Sequence, residues 1–295
     1  MSNKIGVVTD SHSSITQEEA KKLGIYVLPM PFYVDETCYF EDVDLSREAF
    51  FEKMKAGSKV STSQPGPEDV MKIWDQALKQ YEQILYIPIS SGLSGSCQTA
   101  MMMAQEEKYE GKVFVVDNGR VSAPQHRSVL DALELIEEGY SAAQIKQMLE
   151  EARAKSTIYI GVQDLEYLKR GGRISRATAA LGSVLSIKPV LHFDVGTLDT
   201  YKKCRGFVQA KKTMIEAMKQ EFSTKFREEV ERGEAYLLAA TSAAEEESEK
   251  WLEEIEKAFP GMPVLYDKLS LGVSCHIGPG GLGIGCSCRP KRLPQ

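Results

Sequence analysis

The sequence predicts an α/β protein of two domains, an N-terminal three-layer α/β/α domain with a mostly parallel sheet and a C-terminal α+β domain. The chain has 295 residues, which is more than a single hydrophobic core usually serves. In the first half, short apolar runs alternate with helical segments, a pattern typical of a parallel sheet flanked by helices. Beyond about residue 156 this alternation gives way to a hairpin and mixed elements, so we predict domains at 1–158 and 159–295.

The predicted elements of the first half rest on local signals. Thr16 and Glu19 have the spacing of a helix-capping box, and Gly24 is placed to end that helix. Pro67 is placed to open another helix, because proline fits the first helical turn. The predicted strands are 5–9, 25–28, 84–87 and 113–116, and the predicted helices begin after Thr16 and Ser46, at Pro67 and Ser94, and at 125 and 141.

The second half predicts a different arrangement. A turn around Val195 and Gly196 separates two extended runs, which predicts a hairpin. The predicted strands are 157–162, 189–193, 197–203, 235–240, 264–266 and 282–286, and the predicted helices are 207–222 and 244–258. We expect residues 274–283 to form a loop, because four of them are glycine and one is proline.

The composition argues against several classes of protein. A net charge of -6 and a pI near 5.5 have the wrong sign for a nucleic-acid partner, because phosphate binding needs basic stripes. The chain runs directly into an apolar strand without a signal peptide, and no apolar run approaches the ~20 residues of a membrane span. We therefore expect a cytoplasmic protein without stable membrane insertion, and reduced thiols at its six cysteines.

One basic cluster stands out on this acidic background. Its local extent is typical of a docking patch for another protein rather than of a nucleic-acid footprint. The cluster consists of Lys202, Lys203, Arg205, Lys211 and Lys212.

The segment from Ile87 to Gln98 carries the clearest binding signal. It leaves a predicted strand, passes through serines and glycines, and enters a helix, whose free N–H groups and dipole favour an anion. Ser94 offers a hydroxyl donor, and Gly95 permits close approach of a ligand to the backbone. The structural alternative, in which Ser94 is only the helix N-cap, has equal weight at this point.

Two further segments contain candidate ligand-binding side chains. Thr62 and Ser63, in a predicted loop before Pro67, have hydroxyl groups that donate hydrogen bonds, although turn chemistry also explains such a composition. His276 lies in the glycine-rich stretch, where an imidazole with a pKa near neutrality carries positive charge toward a carboxylate. A structural role for a lone histidine is the alternative. The segment 169–174, KRGGRI, fits phosphate binding or a plain turn.

Other chemistries are compatible with parts of this set. A serine hydrolase would use Ser94 with His276 and an acid such as Asp10, although the sequence around Ser94 is not a Gly-x-Ser-x-Gly elbow. Cys275, His276, Cys286 and Cys288 have irregular spacing for a zinc site, so we predict no metal and no cofactor.

Taken in order along the chain, these segments resemble the DegV family of bacterial fatty-acid-binding proteins. The similarity covers nearly the whole chain, and seven segments occur in the right order and spacing. They are VTDSHSSI near the start, STSQPGPED at 61–69, ISSGLSGSCQTA at 89–100, VDNGRVSAPQ at 116–125, DLEYLKRGGRIS at 164–175, LSIKPVL at 185–191 and HIGPGGLGIG at 276–285.

The resemblance implies a lipid site between two α/β domains and a carrier rather than an enzyme. A long-chain fatty acid would be buried in a tunnel and its carboxylate presented to a partner ATP-dependent fatty acid kinase. The resemblance implies a carboxylate site at Thr62 and Ser94 with His276 close by, and Ser63 and Gly95 adjoin these residues. It also implies that Arg205 faces the kinase, although KKCRGFVQAKK is less basic here than the family's Lys-x-Arg-Thr-Arg-Lys run. A lipid sensor that changes a protein contact is a further alternative.

Overall fold

The computed structural model describes residues 5–175, 178, 187–194 and 196–294. Several sequence predictions fall outside these ranges: the first residues of the chain at 1–4, residues 185 and 186 of the LSIKPVL segment, Val195 of the predicted hairpin turn, and the last residue of the tail.

The elements of the described residues are numbered along the chain. The strands are β1 Ile5–Asp10, β2 Tyr26–Leu28, β3 Pro31–Val34, β4 Thr37–Phe40, β5 Val60–Thr62, β6 Gln83–Ile87, β7 Val113–Val115, β8 Ser156–Gly161, β9 Ile187–Asp194, β10 Thr197–Arg205, β11 Ala235–Thr241, β12 Val264–Lys268 and β13 Leu282–Cys288. The α-helices are α1 Gln17–Leu23, α2 Arg47–Lys55, α3 Pro67–Leu78, α4 Ser96–Met103, α5 Ala123–Glu137, α6 Ala142–Glu151, α7 Glu166–Gly171, α8 Phe207–Ser223, α9 Arg227–Glu231, α10 Glu245–Ala258 and α11 Leu271–Ile277.

The N-terminal half contains the predicted parallel sheet. Its four strands have the order β2-β1-β6-β7, and every neighbouring pair is parallel. Successive residues of a strand point to opposite faces, so Val7 packs with α1, α5 and α6 while Val8 packs with α3 and α4. Helices therefore cover both faces, and the predicted three-layer α/β/α arrangement is confirmed.

A six-stranded mixed sheet organises the C-terminal half, with the order β10-β9-β8-β13-β11-β12. Only β11 and β12 are parallel among the described pairs, and the predicted hairpin of β9 and β10 is confirmed. One face packs against α8 and α10 around Met214 and Trp251. The other face, with Ile160 and Leu238, packs with Ile89 and other residues of the N-terminal half. Strand β8 contains residue 158 and belongs entirely to this sheet, and the division at 158 stays a prediction.

A three-stranded antiparallel sheet, β4-β3-β5, was not predicted. These strands have only three or four residues each, and no residue of β4 or β5 is fully buried, so the alternation that marks a strand is missing from the sequence. The sheet packs through Phe32, beside Phe50 of α2, against Leu271 and Cys275 of α11. It therefore connects the N-terminal half directly to a helix of the C-terminal half.

Two other predictions were wrong in detail. Residues 271–277 form helix α11 rather than part of a loop, because Ser270 caps the helix by accepting a hydrogen bond from the Val273 amide at 3.2 Å. Helix α4 begins at Ser96 with Gly95 as its N-cap, so Ser94 is not the capping residue. In the described parts of the chain, no helix has both the length and the apolar character needed to cross a bilayer.

Candidate ligand-binding pocket between the two halves

A largely apolar cavity of about 120 Å³ lies between the two halves. The face of the C-terminal sheet that carries Ile160 and Leu238 bounds one side of it. Its walls come from strands β8 to β11 and β13, from helix α11, and from segments that include those that follow β1, β5, β6 and β7. The apolar lining side chains include Ile89, Leu93, Val121, Pro124, Ile158, Ile160, Leu168, Phe193, Leu198, Leu238, Ala240, Leu269, Val273 and Ile277. Such a lining favours an apolar ligand, because its burial removes hydrocarbon from water.

Glycines keep one strip of the wall free of side chains. Strand β13 alternates, so that Leu282 and Cys286 pack in the core beneath α8 and α10, while Gly283 and Gly285 line the pocket. A Cβ on Gly283 would lie 3.1 Å from the carbonyl oxygen of Ala240, and one on Gly285 would lie 2.9 Å from that of Thr157. The central strand therefore presents bare backbone to the cavity.

Thr62 and His276 meet at the polar side of the pocket. Thr62 is the last residue of β5, His276 is in the last turn of α11, and Thr62 Oγ1 lies 2.9 Å from His276 Nε2 in a hydrogen bond. Both residues line the cavity, as does the exposed Ser63, whose hydroxyl donates to the Gln64 carbonyl at 3.2 Å. Residues more than two hundred positions apart in the sequence are thus brought to one place.

Ser94 lines the same cavity from the loop between β6 and α4. Its hydroxyl donates to Ser96 Oγ at 3.0 Å and accepts from the Ser96 amide at 3.2 Å. Gly95 follows as the N-cap of α4; it is exposed and does not line the cavity. The structure thus gathers Thr62, Ser63, Ser94 and His276 around one cavity, with Gly95 beside it.

Three polar residues of the pocket were not predicted to bind the ligand, namely His12, Ser122 and Arg173, although the segment of Arg173 was considered for phosphate binding or a turn. His12 follows the carboxyl end of β1 and is almost fully buried. Arg173 donates to the carbonyl oxygens of Gly171 at 2.5 Å and Leu93 at 3.3 Å. The available signal was position, since ligands of parallel sheets bind beyond the carboxyl ends of the strands, where His12 and Ser94 both lie.

The two imidazoles of the pocket fit closely against glycines. A Cβ on Gly171 would lie 1.9 Å from His276 Nδ1, and a Cβ on Gly272 would lie 2.6 Å from His12 Nε2. Neither position has room for a larger side chain unless the ring moves. These glycines therefore leave the space that the histidine rings occupy.

The electrostatics differ from the predicted ones. Burial, with the charge of Arg173 and the nearby His12, lowers the pKa of His276 to about 3. Burial and the charge of Arg173 likewise lower the pKa of His12 to about 4. The expectation of a positively charged His276 was therefore wrong for the unliganded pocket. At neutral pH, Arg173 carries the positive charge, while both histidines act as neutral hydrogen-bonding groups.

The geometry of Ser94 does not assemble a hydrolase triad. Its hydroxyl is hydrogen-bonded to Ser96, whereas His276 Nε2 is hydrogen-bonded to Thr62. Asp10 lies beside His12, with 3.7 Å between Asp10 Oδ1 and His12 Nδ1. A nucleophile needs a base within hydrogen-bonding reach, and an imidazole with so low a pKa is a weak base.

The remaining predicted residues lie elsewhere. Arg205 is the last residue of β10 and is exposed, with Lys202 and Lys203 exposed on the same strand. Cys275 packs with Phe32, whereas Cys286 and Cys288 pack in the core around Trp251. Within the described ranges, no three or more His, Cys, Asp or Glu side chains are grouped so that they could hold a metal ion.

The fold and the cavity define a class of protein: two α/β halves that enclose an apolar pocket with hydroxyl and imidazole groups on one side. The family model described as "Uncharacterised protein, DegV family" matches residues 4–288. The chain belongs to the DegV family. Protein DegV of Bacillus subtilis is 31% identical over 288 residues, covering 96% of this chain and 99% of that protein. A DegV domain-containing protein of Clostridium perfringens is 31% identical over 287 residues, with 95% and 96% coverage.

Solved structures of relatives have the same fold. A DegV family protein from Thermus thermophilus, described by its fatty acid binding, has a TM-score of 0.84 and 30% identity, covering 97% of this chain and 99% of that one. DegV from Bacillus subtilis, described as a fatty acid binding protein, has a TM-score of 0.81 and 28% identity, covering 97% of this chain and 100% of that one. The relatives with solved structures therefore include fatty-acid-binding proteins.

Proposed function

We propose that this protein binds a long-chain fatty acid, with the acyl tail against the apolar wall and the carboxylate beside Thr62, Ser94 and His276. One observation carries the proposal: a single cavity joins an extensive hydrocarbon lining to the hydrogen-bonded pair Thr62 and His276. The fatty acid binding described for DegV family structures at 28% and 30% identity supports the same ligand class. The proposed role needs no cofactor.

The balance of free energies supports a fatty acid over a shorter acid. Each buried methylene contributes roughly 0.8 kcal/mol, so a long tail contributes on the order of 10 kcal/mol before the cost of association. A buried carboxylate without partners costs several kcal/mol. Each hydrogen bond to a charged group returns about 1.5–3 kcal/mol. The hydroxyl and imidazole groups with the Arg173 charge are thus suited to offset the cost of burying the head group.

In the proposed site, some residues donate hydrogen bonds to the carboxylate and another supplies a positive charge near it. Thr62 and Ser94 donate hydroxyl hydrogen bonds to the carboxylate, and His276 donates through the ring nitrogen that now contacts Thr62. Ser63 and the backbone at Gly95 extend the polar side toward solvent. Arg173 supplies a positive charge without requiring protonation of a histidine. No group in this set breaks a covalent bond by itself.

We also propose that the protein presents the bound carboxylate to an ATP-dependent fatty acid kinase. Arg205 and the exposed lysines of β10 give an acidic protein one local basic surface, which suits docking of an oppositely charged partner. The halves 1–158 and 159–295, which we propose as domains, lie on either side of the pocket. The protein is then a substrate-presenting subunit rather than an enzyme.

Calorimetry with ligands that separate tail from head tests the ligand class. Delipidated protein is titrated with palmitate, with hexadecanol, which has the tail without the carboxylate, and with acetate, which has the carboxylate without the tail. We expect palmitate to bind tightly, hexadecanol at least about tenfold more weakly, and acetate not detectably. Equal binding of palmitate and hexadecanol, or no binding of palmitate, would contradict the proposal.

A further inference from the structure

A buried carboxylate from the N-terminal half holds the start of helix α11. Glu41 is only 7% exposed, and its Oε1 accepts a hydrogen bond from the Leu271 amide at 2.5 Å while its Oε2 accepts one from the Gly272 amide at 3.3 Å. Ser270 accepts from the next amide, that of Val273. Amides of the first helical turn have no partners within the helix, so Glu41 supplies what the helix itself lacks.

Helix α11 makes two contacts at the polar side of the pocket. Gly272 faces the ring of His12, and His276, four residues later on the same side of the helix, is hydrogen-bonded to Thr62. A shift or rotation of this short helix would move both contacts together. One of the two amides held by Glu41 is that of Gly272 itself, so the carboxylate acts directly on the part of the helix that faces His12.

The same small sheet positions Glu41 and Thr62. Phe32 of β3 pairs with Thr62 of β5, while Glu41 directly follows β4, the other neighbour of β3, and donates its amide to the Met30 carbonyl at 3.4 Å. Phe32 also packs with Leu271 and Cys275 of α11. Glu41 therefore fixes the helix that carries His276 to the sheet that carries Thr62.

Arg47 strengthens this connection from the first residue of α2. Its Nη1 donates to the Leu269 carbonyl at 2.5 Å and its Nη2 to the Thr241 carbonyl at 3.2 Å. Both acceptors lie at or near the chain segment that enters α11. The segment 41–47 thus contacts the C-terminal half through one anion and one cation.

We propose that Glu41 is a positioning residue for the fatty-acid head group, which acts through α11 to bring His276 into register with Thr62 without touching the ligand. This inference rests on the proposed function. Glu41 does not line the cavity, so the lining of the pocket alone does not indicate this role.

The surroundings of Glu41 make its effect depend on pH. Burial is the main cause that raises the pKa of Glu41 to about 7, and the nearby charge of Asp42 acts in the same direction. The hydrogen bonds from the Leu271 and Gly272 amides and the charge of Arg47 act in the opposite direction. From α11, the Cys275 thiol also faces the carboxylate. The ionised group accepts from both amides, whereas the protonated group loses part of that capacity. Head-group positioning is therefore expected to be complete well above pH 7 and to weaken as the pH falls through about 7.

Palmitate affinity of the delipidated full-length protein, measured by calorimetry across pH, tests the inference. Glu41→Gln keeps the shape of the side chain but replaces one acceptor by a donor. We expect it to raise Kd about five- to tenfold near pH 8.5. Near pH 5.5, where wild-type Glu41 is itself protonated, the Kd of the variant should be about equal to that of the wild type. The ratio of variant to wild type cancels the ionisation of palmitate and of Asp10, whose pKa burial raises to about 6.

Glu36→Gln, an exposed glutamate in the turn between β3 and β4, is the matched control and should leave Kd within about twofold.

Ring signals of the four histidines in NMR spectra supply a second readout. Since the pKa of His276 itself is near 3, a step in its signals near pH 7 in the unliganded wild type would report a neighbouring group. We expect that step, and we expect Glu41→Gln to abolish it. A Kd ratio of one at every pH, a ratio that does not change with pH, or no step in the wild type would overturn the inference. Should Glu41→Gln not fold, Arg47→Gln decides: it removes a charge that lowers the pKa of Glu41, so the step should move to higher pH, and an unmoved step would overturn the inference. A wild type that binds no palmitate would instead overturn the proposed function, and the NMR step would still test the link from Glu41 to His276.

Discussion

His126 Nδ1 lies 3.1 Å from both carboxylate oxygens of Asp267, and this contact joins helix α5 of the N-terminal half to strand β12 of the C-terminal half. His126 Nε2 lies 3.5 Å from Glu19 on the other side of the ring. Burial alone lowers the pKa of His126, but the hydrogen bond and charge of Asp267 and the charge of Glu19 outweigh it and raise the pKa. The contact therefore favours the protonated form of the imidazole, whose hydrogen bond to Asp267 joins the two halves.

The first prediction follows from the sign of that shift. Because the pKa of His126 is raised on folding, its stabilisation is fully present below the unfolded pKa of about 6.5 and is lost as pH rises through the folded value. His126→Gln should lower the free energy of unfolding by about 1.5–3 kcal/mol near pH 6 and by less near pH 9. Urea unfolding at both pH values measures this.

His192→Gln provides the control with the opposite trend. Burial lowers the pKa of His192, so its neutral form is favoured in the fold and the cost of replacing it should grow as pH rises through about 6.5. An equal cost of His126→Gln at both pH values would contradict the charged contact with Asp267.

The second prediction concerns the hydroxyl donors. Thr62→Val and Ser94→Ala should each raise the Kd for palmitate about tenfold or more, because each removes a hydrogen bond to a charged head group. The measurement is calorimetry on delipidated protein, with thermal unfolding to confirm that the variants fold. Ser223→Ala is the matched control, since that exposed hydroxyl at the end of α8 donates to the Gln220 carbonyl away from the cavity. Unchanged affinity in Thr62→Val would remove Thr62 from the site.

The third prediction uses the close contact of Gly171 with His276. In Gly171→Ala the added methyl group would meet His276 Nδ1, so the ring must shift and its hydrogen bond with Thr62 is disturbed. We expect palmitate affinity to fall at least about fivefold. Gly172→Ala is the control for backbone strain. Gly172 has a φ of +67°, so an alanine there strains the backbone, but its Cβ would meet open space and no histidine ring. If the two variants bind palmitate equally well, the position of the His276 ring does not matter for binding.

The fourth prediction tests the proposed kinase partner. With a purified ATP-dependent fatty acid kinase and palmitate, formation of acyl phosphate should require this protein. Arg205→Ala should slow that reaction at least about tenfold while leaving palmitate affinity unchanged, because Arg205 is exposed and does not line the cavity. Lys225→Ala, a basic residue outside the cluster, is the comparison. A normal rate with Arg205→Ala would argue against this surface as the docking site.

Strong local signals in the sequence were sufficient to predict the helices and strands that contain them. The parallel sheet was predicted because its apolar strands alternate with helices, and α1 begins where Thr16 accepts from the Glu19 amide. Helix α11 was missed because its seven residues include Gly272 and precede a glycine-rich stretch. Its stability comes from the local cap Ser270 and from two distant segments, which contribute the Glu41 carboxylate and the packing on Phe32.

The candidate site was predictable only in part for the same reason. Thr62, Ser63, Ser94 and His276 stand in segments with recognisable hydroxyl and glycine patterns, and all four line the cavity. Arg173 was considered only for phosphate binding or a turn, and nothing in its neighbourhood indicates that it lies near His12 and His276. The protonation state of His276 was also out of reach, because its pKa depends on burial and on charges from other segments.

Mass spectrometry of the protein as purified from cells tests the central claim most directly. Under native conditions we expect a mass above that of the chain by one long-chain fatty acid, which organic extraction releases as a free acid with an unmodified carboxylate. The Thr62→Val and Ser94→Ala double variant should retain less of it, and Ser223→Ala as much as wild type. Protein that carries no lipid and does not take up added palmitate would contradict the account.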